Sequence, residues 1–380
     1  MRLRQPLWFL SMTTQYKEIE RLVAVSDIHV DDAANMRWIE SLPERKREAI
    51  VVAGDVSDRF DRLEHVFRCL TEKYGAVFFT FGNHDAWVRT DEEFKDSVEK
   101  IDAIAELARR TGVATEAAVI GQSRRCVVAP LTAWYHSSFD TEPNVTRWKG
   151  IPSAKLVMTD FRRCKWPDGL REEALAKAMD DRNEDIETIL GLARDDLVTF
   201  SHFLPRVELL PEKRYLFLPT LTQAVGSRFL GDRVKRLNPD VHIFGHTHIN
   251  WDATIDGVRY VQAALAYPNE WRTRPASLEI GNLNAGHRAP VVIWESRSGV
   301  IANTYSTRWA DHYRRFPRVP DLTHVLPPYT ARLYKPLPGS AVKDVHDHVP
   351  PFDNNHDALL SGGGEKKLET RRPATMGGSK

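Results

Sequence analysis

Residues 78–87, "FFTFGNHDAW", join a run of apolar residues to an asparagine, a histidine and an aspartate. The apolar run has the length and aromatic character of a strand buried on both faces, the kind a parallel sheet requires. Asn83, His84 and Asp85 then stand at its C-terminal end. One reading is that Asn83 and Asp85 turn the chain and cap the next helix. The other is that all three residues serve a metal or a proton. The remaining strand ends separate the two.

Four further runs repeat the arrangement: "RLVAVSD" (21–27), "EAIVVAGD" (48–55), "DLVTFSH" (196–202) and "DVHIFGHTH" (240–248). The first three strands are separated by segments of helical spacing, "NMRWIESLPERKRE" (35–48) and "FDRLEHVFRCLTEKY" (60–74). Strand, helix and strand in alternation predict right-handed crossovers and an α/β core. The pattern then loosens into an insertion at about 88–195. It contains a helix over 90–112, strands over 113–121 and 124–135, an irregular aromatic and basic segment over 136–167 and a helix over 170–193. Downstream, the runs 251–267, 276–282 and 289–306 carry glycine turns and alternation that suit antiparallel strands of a second sheet. The expected organisation is an N-terminal extension (1–20), one domain (21–335) and a disordered tail (336–380) rich in Pro, Gly, Asp, Lys and Ser. The histidines of "VHDHVPPFDNNH" (345–356) are read as part of that tail and not as a metal site.

With 380 residues, 42% of them hydrophobic, the chain can bury a large core and needs no membrane span. Lys and Arg number 53 against 52 Asp and Glu, a balance that disfavours a protein built to grip a nucleic-acid backbone. Three dispersed cysteines, Cys69, Cys126 and Cys164, point to a reducing, intracellular and most simply cytoplasmic setting. The opening "MRLRQPLWFLSM" is basic, but Pro6 interrupts its short apolar stretch, so it does not read as a secretion signal; Met12 is an alternative start, and an organelle address stays open.

The strand ends supply Asp27 and His29, Asp55, Asn83 and His84, His202, and His246 and His248. In an open α/β sheet, ligands bind outside the carboxyl ends of parallel strands, so these side chains are expected to converge. Residues i and i+2 of an extended stretch share a side, which would let Asp27 and His29 reach one ion and let His246 and His248 straddle two. Two carboxylates, an amide oxygen and four imidazoles without a thiolate favour manganese, iron or zinc in a working site over a structural zinc. A shared aspartate would set two ions about 3.5–4 Å apart, as two-metal hydrolases require. Gly54, Gly82 and Gly245 each precede a candidate ligand, where a missing side chain permits a sharp turn and close approach.

The order D-x-H, G-D, G-N-H-D, H and G-H-x-H, from Asp27 to His248, resembles that of the calcineurin-like metallophosphoesterase superfamily. The resemblance covers the catalytic core and not the insertion or the tail. It implies a four-layer αββα sandwich with a dinuclear metal site at the strand C-terminal ends. It further implies that Asp27, His29 and His248 hold one divalent or trivalent ion, that Asn83, His202 and His246 hold the second, and that Asp55 bridges them. His84 would face the substrate phosphate and assist the leaving oxygen, with Asp85 orienting its imidazole. The implied activity is hydrolysis of a phosphoester, diester or monoester, on a small molecule or nucleotide, by a hydroxide bridging the ions. "GDVSDRF" and "FGNHD" depart from the serine/threonine protein phosphatases, which are similar in carrying "GDxxDRG" and "RGNHE". The extra tyrosine ligand of purple acid phosphatases is also missing from the order.

Selectivity is expected from the insertion, where "DFRRCKWPDG" (160–169) sets Arg162, Arg163 and Lys165 beside Trp166 as candidate substrate contacts. The alternative is a solvated basic loop. "YPNEWRTRP" (267–275) is a candidate further rim, Trp134 and Tyr135 are read as core, and His242 as a core histidine. Cys164 beside arginines could have a lowered pKa, but nothing near it completes a nucleophile. Two rival functions remain: a degenerate scaffold, which would have lost ligands, and a nuclease using the same metals, which would want a broad positive face.

Overall fold

The structure, a computed structural model, describes residues 13–281, 290–302 and 305–343. Two sheets face each other. In the first, Arg21–Val25, Arg45–Ala53 and Tyr74–Thr80 run parallel, and Val291–Glu295 adds antiparallel beside Arg21–Val25. In the second, Cys126–Pro130, Asp196–Phe200, Val241–Phe244 and Val258–Gln262 run parallel side by side. Ala118–Ile120 and Trp251–Ile255 flank them antiparallel, and Gln15–Tyr16 forms the far edge.

The period-2 alternation of strands builds the layers. Leu22, Ala24, Ala49, Val51 and Phe78 point into the space between the sheets and meet Val128, Val198, Phe200 and Ile243 from the second sheet. Their neighbours Val23, Val25, Ile50, Val52, Val77 and Phe79 point outward, into the core beneath the helices. Helix Phe60–Lys73 buries Leu63, Val66, Phe67 and Leu70, the i, i+3, i+4, i+7 stripe of an amphipathic helix. Ala33–Ser41 and Ser97–Thr111 lie beside it, while Glu172–Asp180, Ile186–Gly191 and Arg228–Leu237 cover the other sheet. The result is the four-layer αββα arrangement that the resemblance implied. Among the described residues, no helix is long and apolar enough to cross a membrane.

Several boundaries differ from the sequence reading. The helix expected over 35–48 stops at Ser41, because Pro43 cannot continue it, and Arg45 already belongs to the next strand. The helix expected over 90–112 starts at Ser97, where the Asp96 carboxylate accepts from the Val98 and Glu99 amides. The helix expected over 170–193 is two helices. Between them the Asn183 side chain leaves helical geometry to pair with both backbone groups of Thr132, at 2.6 and 2.8 Å.

The insertion at about 88–195 is not wholly an insertion, since Ala118–Ile120 and Cys126–Pro130 are strands of the second sheet. The run 289–306 does not join that sheet: Val291–Glu295 returns to the first. The N-terminal extension and the tail were drawn too wide. Gln15–Tyr16 pairs with Val119–Ile120, Lys335–Pro336 pairs with Trp148–Lys149, and Ala341–Val342 pairs with Val325–Leu326. Residues 1–12 and the histidine-bearing stretch 345–356 lie outside the described residues.

Candidate metal centre

Seven side chains meet where the C-terminal ends of the two sheets come together. Asp27, His29, Asp55 and Asn83 leave the first sheet, and His202, His246 and His248 leave the second. The sheets are stitched at this end by backbone bonds, Ser26 N to Ala263 O (3.0 Å), Leu265 N to Ser26 O (2.9 Å) and Ala266 N to Asp27 O (2.9 Å).

The convergence is not produced by extended backbone, as the i, i+2 argument assumed. Asp27, His29, Asp55, His246 and His248 all have positive φ, between 44° and 78°. Non-glycine residues rarely adopt that region, and such strain gathers at functional sites. Three of the five strands, those that lead to Asp27, Asp55 and His246, therefore end in left-handed residues that redirect the side chains, whereas Asn83 and His202 follow theirs without one. Gly82 makes the tightest approach: a Cβ there would lie 2.2 Å from Asp55 Oδ1.

The donor atoms fall into two groups joined by one carboxylate. His29 Nε2 faces His248 Nε2 at 3.0 Å, and His248 Nε2 lies 3.4 Å from Asp27 Oδ1. Asn83 Oδ1 lies 3.0 Å from His202 Nε2 and 2.8 Å from His246 Nδ1. Asp55 reaches both groups, Oδ1 at 3.5 Å from His202 Nε2 and Oδ2 at 3.8 Å from His29 Nε2. Ligands of one ion at about 2.0–2.2 Å from it stand about 3–3.5 Å from each other, which is the spacing seen here.

Tautomers provide a sharper test of fit. His202 Nδ1 donates to the Ala53 carbonyl at 2.9 Å, so its Nε2 presents a lone pair to Asn83 Oδ1. His246 Nε2 donates to the Ala224 carbonyl at 2.8 Å, so its Nδ1 does the same. Burial keeps both rings neutral by lowering their pKa values, that of His202 to about 3. Three lone pairs thus point at one another with no proton between them, an arrangement that a cation satisfies and nothing in the donor set does. At the other group, burial pushes His29 down to about 3. Burial alone would also lower His248, but the Glu270 and Asp27 carboxylates outweigh it and raise it to about 10. A proton on His248 is the one positive charge this group can find among its own members.

His84 stands at the outer wall. Its Nε2 is 3.9 Å from Asp55 Oδ2, close enough on distance alone to count with the ligands, yet the ring is 19% exposed while those of His29 and His202 are fully buried. Its ring stacks on Trp87, centroids 3.7 Å apart. Burial and the neighbouring imidazoles hold its pKa well below the ordinary value, so it is a neutral N–H donor.

The expected role of Asp85 needs correction. Its carboxylate accepts from the backbone amides of Asp55, Val56, Ser57 and Gly82, at 2.8 to 3.0 Å. Those four bonds fasten the turn carrying Asp55 to the turn carrying Asn83, and they take up the lone pairs that would have oriented His84. The ring under His84 is that of Trp87.

The candidate substrate residues lie on a segment bonded beside Trp87 and Val88 through Val88 N to Arg163 O at 3.0 Å. Arg162 and Lys165 are exposed, and Arg163 is half-buried. Trp166 is half-buried with its ring edge-on to buried Trp134, centroids 4.7 Å apart. Cys164 goes against the lowered pKa considered for it, since burial raises its thiol well above the ordinary value. His242 is a core residue bonded to Thr199 and Ser201.

Three contributors escaped the motif reading. Glu270 Oε2 accepts from His248 Nδ1 at 2.5 Å, Tyr267 stacks on His29 with centroids 4.2 Å apart, and Asp160 accepts from Asn83 Nδ2 at 2.9 Å. The first two lie in "YPNEWRTRP", so only the position of that segment was legible. For Asp160 the sequence holds no signal.

A family model described as calcineurin-like phosphoesterase matches residues 20–250. The [acyl-carrier-protein] phosphodiesterase PptH of Mycobacterium tuberculosis is 26% identical over 264 residues, covering 67% of this chain and 80% of that protein. The crystal structure of phosphopantetheinyl hydrolase (PptH) from Mycobacterium tuberculosis superposes with a TM-score of 0.54 at 23% identity, over 68% of this chain and 93% of that one. That likeness is one of fold.

Proposed function

The chain belongs to the calcineurin-like phosphoesterase family and hydrolyses phosphoester bonds, and we propose that its substrate is a phosphodiester carried on a phosphopantetheinyl arm. Two ions, of manganese, iron or zinc, fit the donor set. Asp27, His29 and His248 would hold one, and Asn83, His202 and His246 the other, with Asp55 between them. The observation that carries this reading is the meeting of unprotonated Asn83 Oδ1, His202 Nε2 and His246 Nδ1. Bound ions supply Lewis-acid activation of water and offset charge at the phosphoryl oxygens.

The chain's own residues do the rest. His84, neutral and partly exposed, donates a hydrogen bond to the departing alkoxide oxygen, and Trp87 holds its ring in plane. Asp85 keeps Asp55 and Asn83 in register. Arg162, Arg163 and Lys165 offer positive charge to the part of the substrate beyond the scissile phosphate, and Trp166 supplies an aromatic edge. The similarity to a carrier-protein phosphodiesterase along 80% of its length supports the diester and the phosphopantetheinyl class. Three free cysteines support an intracellular setting.

The test incubates manganese-loaded protein with holo-acyl carrier protein, bis-p-nitrophenyl phosphate and p-nitrophenyl phosphate. Mass spectrometry should find apo-carrier protein and 4′-phosphopantetheine, and the diester should turn over faster than the monoester. A monoester preference with the holo-carrier left intact overturns the substrate class.

A further inference from the structure

Asp160 lies in the segment whose basic residues drew attention in the sequence, but its own side chain points the other way, into the molecule, where it is 2% exposed. Its Oδ1 accepts from Asn83 Nδ2 at 2.9 Å and from Trp87 Nε1 at 2.7 Å, and its Oδ2 accepts from Tyr135 Oη at 3.0 Å. We propose that Asp160 is a positioning residue that decides which atom of the Asn83 amide faces the second ion and, through Trp87, holds the His84 ring. The inference rests on the assignment of Asn83, His202 and His246 as ion ligands made above.

The Asn83 amide has two ends of opposite hydrogen-bonding character. His202 Nε2 and His246 Nδ1 both present lone pairs, and an amide beside two lone pairs gains most by turning its N–H groups toward them. In that orientation Asn83 would satisfy both histidines by itself and put its hydrogens where an ion must sit. The observed orientation is the opposite one, oxygen toward the histidines, which is unfavourable for these three groups alone. Asp160 reverses the preference. A buried carboxylate behind Asn83 accepts the amide hydrogen, whereas the flipped amide would set its oxygen against that carboxylate, leaving two buried acceptors face to face. The bond to a charged acceptor is also about twice as strong as a neutral one. Asp160 therefore keeps the amide oxygen pointing at the ion in advance of binding.

The same oxygen holds the Trp87 indole N–H, and Trp87 stacks on His84. Tyr135, bonded to the other oxygen, stacks toward His246 with centroids 6.1 Å apart. One carboxylate from outside the strand ends thus touches one candidate ligand, Asn83, directly, and the neighbours of a second, His246, and of the leaving-group histidine. Three donors converge on it, and a carboxylate has the acceptor capacity to take all three.

The experiment titrates the metal-free full chain with Mn2+ by calorimetry and follows the electron paramagnetic resonance spectrum, in wild type, Asp160→Asn and Asp160→Ala. Wild type should take up two ions and show coupled Mn pairs. Asp160→Ala should keep one ion at wild-type affinity, bind the other about 10–100-fold more weakly, as loss of a ligand's supporting partner does elsewhere, and show isolated Mn2+. Asp160→Asn retains an oxygen for Asn83 and Trp87 and should stay close to wild type. Asp160→Leu, which keeps the branched shape of the side chain without an acceptor, replaces Asp160→Ala if the smaller side chain prevents folding, and should give the same result. The inference is overturned if the Ala or Leu variant binds both ions as wild type does, or if Asp160→Asn loses as much as Asp160→Ala. Failure of wild type itself to bind a second ion would instead remove the ligand assignment, a result the variants cannot imitate.

Discussion

Asn83 and His202 face each other at 3.0 Å with an oxygen lone pair against a nitrogen lone pair. His202 cannot turn away, because its other nitrogen is bonded to the Ala53 carbonyl. Adding Mn2+ at 100 times its dissociation constant should stabilise the metal-free chain by about 2.7 kcal/mol for each site filled. His202→Ala should lose the share that belongs to one ion, as read from thermal melts with and without a chelator.

His84 is assigned to the leaving oxygen and not to an ion. His84→Ala should therefore lower kcat by roughly 10²–10⁴-fold on a substrate with a poor leaving group. The deficit should be much smaller for a p-nitrophenyl ester, whose leaving group needs little help. Metal analysis should find the same ion content as in wild type. A variant that loses ions along with activity would make His84 a ligand.

Asp85 ties two turns together through four buried amides. Asp85→Ala leaves those donors without an acceptor and should cost about 3 kcal/mol or more in denaturant unfolding, since each unsatisfied buried donor costs about 1–3 kcal/mol. The pH profile of the residual activity should keep its shape, because Asp85 does not hold His84. A shifted profile with unchanged stability would restore the role first expected for it.

His248 is one source of the pH dependence of the metal-free protein. Its folded pKa of about 10 lies above the ordinary 6.5, raised by Glu270 and Asp27 against the effect of burial. The stability this contributes is fully present below pH 6.5 and is lost as pH rises toward 10. An ion at the group containing His248 must displace that proton, so the affinity of that ion should rise with pH across the same window, with close to one proton released by His248. Calorimetry in buffers of different ionisation enthalpy measures the release. Glu270→Gln removes a charge beside His248 and should reduce both the proton release and the slope.

Gly82 is the residue that lets Asp55 approach Asn83. Gly82→Ala would put a methyl carbon 2.2 Å from Asp55 Oδ1 and must push the carboxylate away from one of its two groups. Ion content should fall below two per chain while the far-ultraviolet circular dichroism is retained, and metal analysis of the folded variant reads the change.

Much of this was legible because local chemistry repeats. Five short apolar runs ended in polar residues, and all five proved to be strands ending at the site. Helix boundaries were less legible: Pro43 gave a visible stop, but Asn183 breaks its helix to bond Thr132, 51 residues away in the chain. Asp85 was misassigned for a similar reason. Adjacency in sequence suggested His84 as its partner, while its amides come mainly from a turn about 30 residues earlier.

By itself, the sequence determined the residue types at the strand ends, and with them the chemistry: hard and borderline donors without thiolates suit ions that act on phosphoesters. It also determined the strand and helix alternation that makes an α/β core, because period and apolarity are local properties of the chain. Only the tertiary structure decided that the strand ends belong to two sheets and that positive-φ residues aim five of the seven candidate ligands. It also decided that Glu270, Tyr267 and Asp160 stand behind them. Hydrogen bonds and ring contacts depend on atoms a few ångströms apart, and the residues that supply these partners lie from 22 to 238 positions away from the candidate ligands they support.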